Sequence, residues 1–255
     1  MTAATLAGAA AAAFVGGFIN SMAGGGTLVT FPILVALGIP PLVANATNTM
    51  ALWPGAFGSL WGYRDRLAGM RAWIVRFSVP CVLGGFLGAW LLLSTGQDRF
   101  ARIVPFLVLG ATVLLMLNGP LGRWLGGRAG AEDSGLHLTW PFLLAQFAVG
   151  TYGGYFGAGI GILMLAVLGL AGFTDIHKMN AIKVWGALIT NVVAAALFAA
   201  GGVVLWPLAL VMAAGSIAGG YGGARLAQRV GRTWVRRVVV LVGLSGSVWL
   251  LLRGR

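Results

Sequence analysis

Gly17-Phe18-Ile19-Asn20-Ser21-Met22-Ala23-Gly24-Gly25-Gly26-Thr27 opens the chain, and Gly150-Thr151-Tyr152-Gly153-Gly154-Tyr155-Phe156-Gly157-Ala158-Gly159 repeats its glycine spacing. Gly17, Gly24 and Gly26 precede Gly150, Gly157 and Gly159 by 133 residues. The correspondence continues downstream. Asn45-Ala46 answers Asn180-Ala181, Trp73 answers Trp206, and Gly84-Gly85-Phe86-Leu87-Gly88-Ala89 answers Gly219-Gly220-Tyr221-Gly222-Gly223-Ala224, now at an offset of 135. Two related halves, each beginning with a glycine-broken apolar segment, point to a secondary transporter and to the place where its solute binds.

Composition supports a membrane setting. Of 255 residues, 59% are hydrophobic and 9% charged, against about 25% charged in soluble domains. Six stretches carry no charge: Met1–Tyr63, Phe77–Gln97, Ile103–Gly122, Gly135–Thr174 (His137 aside), Val184–Ala224 and Val238–Leu252. All but the last, which falls just short, have room for an apolar crossing of roughly 17–25 residues. The net charge of +12 is not read as a nucleic-acid surface, because the arginines sit between spans. Cys81 is the lone cysteine and has no partner for an internal disulfide. The alanine-rich start lacks a basic n-region, so no cleaved signal peptide is expected.

In lipid the backbone must satisfy itself, so every span is expected to be helical. The first half reads as a broken segment at 3–38 and spans at 42–62, 73–93 and 101–118. The second reads as a broken segment at 140–172 and spans at 180–201, 206–224 and 237–252. Loop charge decides whether each broken segment crosses once or returns as a hairpin. With hairpins, one side holds Arg64, Arg66, Arg71, Arg76, Arg123, Arg128, Lys178, Lys183, Arg225, Arg229, Arg232, Arg236 and Arg237, and the other only Arg99, Arg102, Arg253 and Arg255. With single crossings the charges divide almost evenly. The positive-inside rule therefore favours re-entrant hairpins, both termini outside, and halves of inverted topology. The expected architecture is an all-α polytopic membrane protein of two inverted repeats, 1–118 and 140–255, joined by a cytoplasmic linker at 119–139.

The glycine tips are the first candidate site: Asn20, Ser21, Gly24, Gly25, Gly26 and Thr27 in one half, and Gly154, Tyr155, Gly157 and Gly159 in the other. A helix starting after such a tip presents unpaired N–H groups and its positive dipole end, which suits an anion. The next span of each half supplies the second constellation. Asn45 and Asn48 lie on one, and Asn180, Lys183 and Asn191 share roughly one face of the other. Polar groups on spans normally face the bundle interior and mark a pathway. Lys183 either pairs with an anionic solute or snorkels to the interface. Gly84/Gly88, Gly215/Gly219 and Gly219/Gly223 have GxxxG spacing and read as close helix packing.

The tips are not a nucleotide loop, since no Lys-Ser or Lys-Thr follows them. No Asp or Glu falls inside an expected span, so a buried carboxylate relay is missing. His137 and His177 are isolated, and no metal site or cofactor is expected. No nucleophile–base set lies within the spans, which argues against an enzyme.

Gly17 to Thr27, then Phe31-Pro32-Ile33-Leu34 and Ala44-Asn45-Ala46-Thr47-Asn48, resembles the first half of the TauE/SafE-type sulfite exporter family. Gly150 to Gly159, Met179-Asn180-Ala181-Ile182-Lys183 and Asn191 resemble its second half. The resemblance implies a multi-pass bacterial inner-membrane transporter that exports small sulfur-containing anions such as sulfite or organosulfonates. Leu165 stands where the first half has Pro32, a departure from the family pattern that leaves the break of the second hairpin open. The expected partners are a small anionic solute and the bilayer; a homo-oligomer, an importer, a carboxylate carrier and a non-transporting scaffold remain open alternatives.

Overall fold

The computed structural model describes residues 2–22, 25–57, 60, 67, 70–126, 138–173, 175–226 and 232–253. Among these there are ten α-helices and no strand. They are α1 (Ala3–Met22), α2 (Thr27–Ala36), α3 (Pro41–Leu52), α4 (Arg71–Thr95), α5 (Gln97–Gly126), α6 (Trp140–Tyr155), α7 (Ile160–Leu170), α8 (Ile176–Ala200), α9 (Trp206–Leu226) and α10 (Arg232–Arg253).

Local chemistry sets several boundaries. Pro41 occupies the first helical position of α3, where its missing N–H costs nothing. Trp53-Pro54-Gly55 turns the end of α3 into a 3-10 turn, so the expected span at 42–62 is interrupted after Leu52 and is α-helical again at 56–57 and 60. Gly96 takes φ +73° and lets α5 begin one residue after α4 ends. The Asp175 carboxylate caps α8 by accepting from the N–H of His177 at 2.8 Å and of Lys178 at 3.3 Å. α5 continues to Gly126, into the expected linker at 119–139; residues 127–137 lie outside the described set.

Each broken segment is two helices. α2 runs back along α1: a Cβ placed on Gly16 would meet the Thr30 methyl at 2.5 Å, and one on Gly8 would meet Leu37 at 3.6 Å. In the second half Val149 of α6 shares an apolar cluster with Ile160 and Met164, while the earlier Phe142 clusters with the later Leu168 and Phe173. α2 contains Pro32 and α7 has Leu165 in its place, yet both start directly after the third glycine of the repeat, at Thr27 and Ile160. The missing proline therefore does not move the break.

Contacts between the halves exchange when the halves are exchanged. α1 packs on α9, and α6 packs on α4. α3 packs on α9, and α8 on α4; α2 meets α10, and α7 meets α5. α5 and α10 meet each other, as do α3 and α8. The correspondence reaches single residues. The Phe147 carbonyl would lie 2.5 Å from a Cβ on Gly84, and the Phe14 carbonyl would collide with one on Gly219. Glycine at both places lets backbone approach backbone, as GxxxG spacing predicts.

The same contacts give helix directions. α1 and α9 run in parallel, with Ala10 beside Gly215 and Phe14 beside Gly219. α4 and α6 are parallel, Gly84 facing Phe147–Thr151 and Gly88 facing Thr151–Tyr155. α8 is parallel to α4: the Trp185 indole donates to the Ser78 hydroxyl at 2.9 Å, and Gly201 lies against Leu93 farther along. α3 is parallel to α9, with Thr47 accepting from the Leu205 N–H at 3.1 Å and Gly55 beside Ser216. The first turn of α3 sits where α4 ends, since the Leu42 N–H donates to Gln97 at 3.1 Å.

Among the described residues, four helical stretches are long and apolar enough to cross a bilayer: Ala3–Asn20, Arg71–Thr95, Gln97–Leu117 and His177–Ala200. Large apolar side chains cover the outside. Val75, Val79, Leu83, Phe86 and Trp90 of α4 and Phe106 of α5 are exposed. So extended an apolar surface is tolerated in lipid, not in water.

Candidate solute site

Gly25 and Gly157 take φ +90° and +77°, and Gly159 takes +77°. Only glycine adopts this backbone readily, so three of the expected site glycines form the bends themselves. Gly26 is helical and packs so closely on the Gly16 carbonyl that a Cβ would not fit. Gly154 packs in the same way on the Gly85 carbonyl, which makes it a helix-packing residue of α6. Gly24 lies outside the described residues, as does the side chain of Ser21.

Polar side chains hold both bends. The Asn20 carboxamide oxygen accepts the Gly26 N–H at 2.8 Å, so this expected solute ligand ties α1 to the first tip. Tyr152, which sequence reading missed, donates its hydroxyl to the Ala158 carbonyl at 2.6 Å. The signal was its place inside the repeated glycine motif. At the second tip no backbone carbonyl among the described residues accepts from the N–H of Ala158, Gly159 or Gly161.

α3 joins the two hairpins. The Asn48 amide donates to the Thr27 hydroxyl at 3.4 Å, and the Asn45 amide donates to the Tyr155 carbonyl at 3.1 Å. These residues are one turn apart, about 4.5 Å of helical rise, so both hairpins reach one short stretch of α3. Phe31 of α2 packs edge-on against Phe156 of the second tip, with centroids 5.4 Å apart, and Phe100 closes on Phe156 at 6.4 Å. The Tyr155 hydroxyl donates to Thr95 at 3.3 Å, away from its carbonyl.

α8 lines the second tip. The Asn191 carboxamide oxygen stands 3.8 Å from the Cβ position of Gly157, while its amide donates to the Ala187 carbonyl at 2.8 Å. The Lys183 stem lies against Gly161, and its ammonium donates to the Asn180 oxygen at 2.9 Å. Lys183 relates to the start of α7 as Asn48 relates to the start of α2, which is the repeat seen at side-chain level.

Asn45 and Asn48 are each 1% exposed. Their carboxamide oxygens have no hydrogen-bond partner among the described residues. Unpaired buried acceptors are uncommon and costly, and two stand together where the tips converge. No group of three or more His, Cys, Asp or Glu side chains that could hold a metal ion occurs among the described residues.

Comparison with known proteins agrees with this architecture. The family described as Sulfite exporter TauE/SafE matches residues 9–250. A "Probable membrane transporter protein" of Haemophilus influenzae is 35% identical over 234 residues, covering 90% of this chain and 88% of that protein. "Probable membrane transporter protein ORF9" of a Sinorhizobium species is 32% identical over 94% of this chain and 90% of its own length. "Probable membrane transporter protein YfcA" of Escherichia coli is 31% identical, covering 94% and 87%. No solved structure matches.

Proposed function

Since the chain belongs to the TauE/SafE sulfite exporter family, a family of multi-pass inner-membrane transporters, we propose that it exports a small sulfur-containing oxyanion by alternating access. The observation that carries this reading is the convergence of two glycine-bent hairpins on Asn45 and Asn48. The uncommitted N–H groups of Ala158, Gly159 and Gly161 at the start of α7 give a negative solute donors and a favourable dipole.

The hairpins are re-entrant and the halves inverted in this reading. α1 is parallel to α9 and so to α3; α6 is parallel to α4, which opposes α3. Charge supports it, because α4 and α8 start at the same end, with exposed Arg71 and Arg76 on α4 and half-buried Lys178 on α8. Exposed Arg99 and Arg102 begin α5 at the other end. The end rich in arginine is then cytoplasmic.

An inside-negative potential drives each exported negative charge with about 2.3 kcal/mol per 100 mV. Export therefore needs no coupled ion, in keeping with the absence of a buried Asp or Glu among the described residues. The test is flux of labelled sulfite and organosulfonates from proteoliposomes under an imposed potential. Efflux should rise with an inside-negative potential in the absence of sodium or a proton gradient. Strict dependence on either ion, or no flux of any anion in the panel, would defeat the reading.

A further inference from the structure

The donors at the second tip account for a negative charge, but the Asn45 oxygen asks for something else. Turning Asn45 over would set its oxygen against the Tyr155 carbonyl, acceptor against acceptor, so the observed orientation is the one that bonds. The atom left over is thus an acceptor, in a residue 1% exposed. Asn48, one turn along α3, can present either end of its amide, because the Thr27 hydroxyl accepts or donates. A bare oxyanion is made only of acceptors and cannot satisfy the Asn45 oxygen.

A cation could, but the surroundings disfavour it. The acids among the described residues are Asp98 and Asp175, at the starts of α5 and α8. A cation there would meet neutral oxygens, with no carboxylate to offset desolvation. A donor on the solute itself meets no such cost.

We infer that the solute is a small organic anion carrying its own O–H or N–H donor, its negative end at the second tip and its donor end on Asn45. This inference rests on the anion-transport reading above and narrows it. Asn45 is a specificity residue in this arrangement. A solute that lacks the donor leaves the Asn45 oxygen unpaired, a larger discrimination than shape alone supplies.

The probes are radiolabelled 2-hydroxyethanesulfonate and propane-1-sulfonate, which differ by a hydroxyl in place of a methyl and are both permanent monoanions. Transport by the full-length protein in proteoliposomes should favour the hydroxylated anion by on the order of tenfold or more. The preference should fall toward unity in Asn45→Leu. If that variant does not fold, the ratio in the unaltered protein decides alone. Equal transport of the two sulfonates overturns the inference and leaves the anion exporter standing. Transport of neither also overturns it, and silence of sulfite in the same vesicles removes the anion reading as well.

Discussion

Gly84→Ala places one methyl group where α4 crosses α6. The added carbon would lie 2.5 Å from the Phe147 carbonyl oxygen and 2.8 Å from the Thr151 nitrogen, whereas ordinary contact begins at 3.4 Å. Both obstacles are backbone, so no rotamer change relieves the overlap; the helices must separate by nearly the difference. Overpacking of this kind costs about 1–3 kcal/mol. The intrinsic gain of alanine over glycine in a helix returns roughly 0.5–1 kcal/mol, so a net loss remains. At roughly 2–4 °C per kcal/mol for a chain of this size, the melting temperature in detergent should drop by several degrees. Gly110→Ala is the control, since Gly110 is helical and nothing lies within 4 Å of its Cβ position; it should be neutral or slightly stabilising. Gly219→Ala, at the equivalent crossing of α1 and α9, should lose about as much as Gly84→Ala. Equal melting of Gly84→Ala and Gly110→Ala would refute the close backbone crossing, and a harmless Gly219→Ala beside a damaging Gly84→Ala would refute the equivalence of the crossings.

Three further outcomes follow from the tips. Asn20→Ala removes the acceptor of the Gly26 N–H and should cost about 1 kcal/mol, with transport falling more than stability as measured by flux alongside melting. Tyr152→Phe deletes the hydroxyl bound to the Ala158 carbonyl; it should cost a similar ~1 kcal/mol and raise the half-saturating solute concentration without loss of expression. Gly157→Ala forces a side chain onto φ +77°, a strain of roughly 1–2 kcal/mol; flux should drop severalfold in protein that still elutes as a single species by size exclusion.

Much of this fold was legible because a bilayer narrows the choices. The apolar runs with arginines between them implied helices, and the repeated glycines located both breaks, at Thr27 and Ile160. GxxxG spacing marked the close crossings at Gly84, Gly88, Gly215 and Gly219. What sequence could not supply was partner choice. Nothing in Gly17 itself says that its neighbour is Ser216 and not a residue of its own half. The same limit blurred the site. Asn20 and Gly154 look like solute ligands in a motif, but one accepts from Gly26 and the other packs on Gly85. Tyr152 and Gln97 act across the fold, on Ala158 and Leu42, through contacts no local pattern announces. The 3-10 turn at Trp53-Pro54-Gly55 was not foreseen, because hydropathy continues through Pro54 while the α-helical geometry is interrupted there.

The crossed pairing of α1 with α9 has a consequence for biosynthesis. Residue 17 finds its place against residue 216, so α1 must wait in the lipid after synthesis, its glycine face unmet, until α9 has been made. Neither half can mature alone, and a chain stopped before α9 would strand that face for quality control to find.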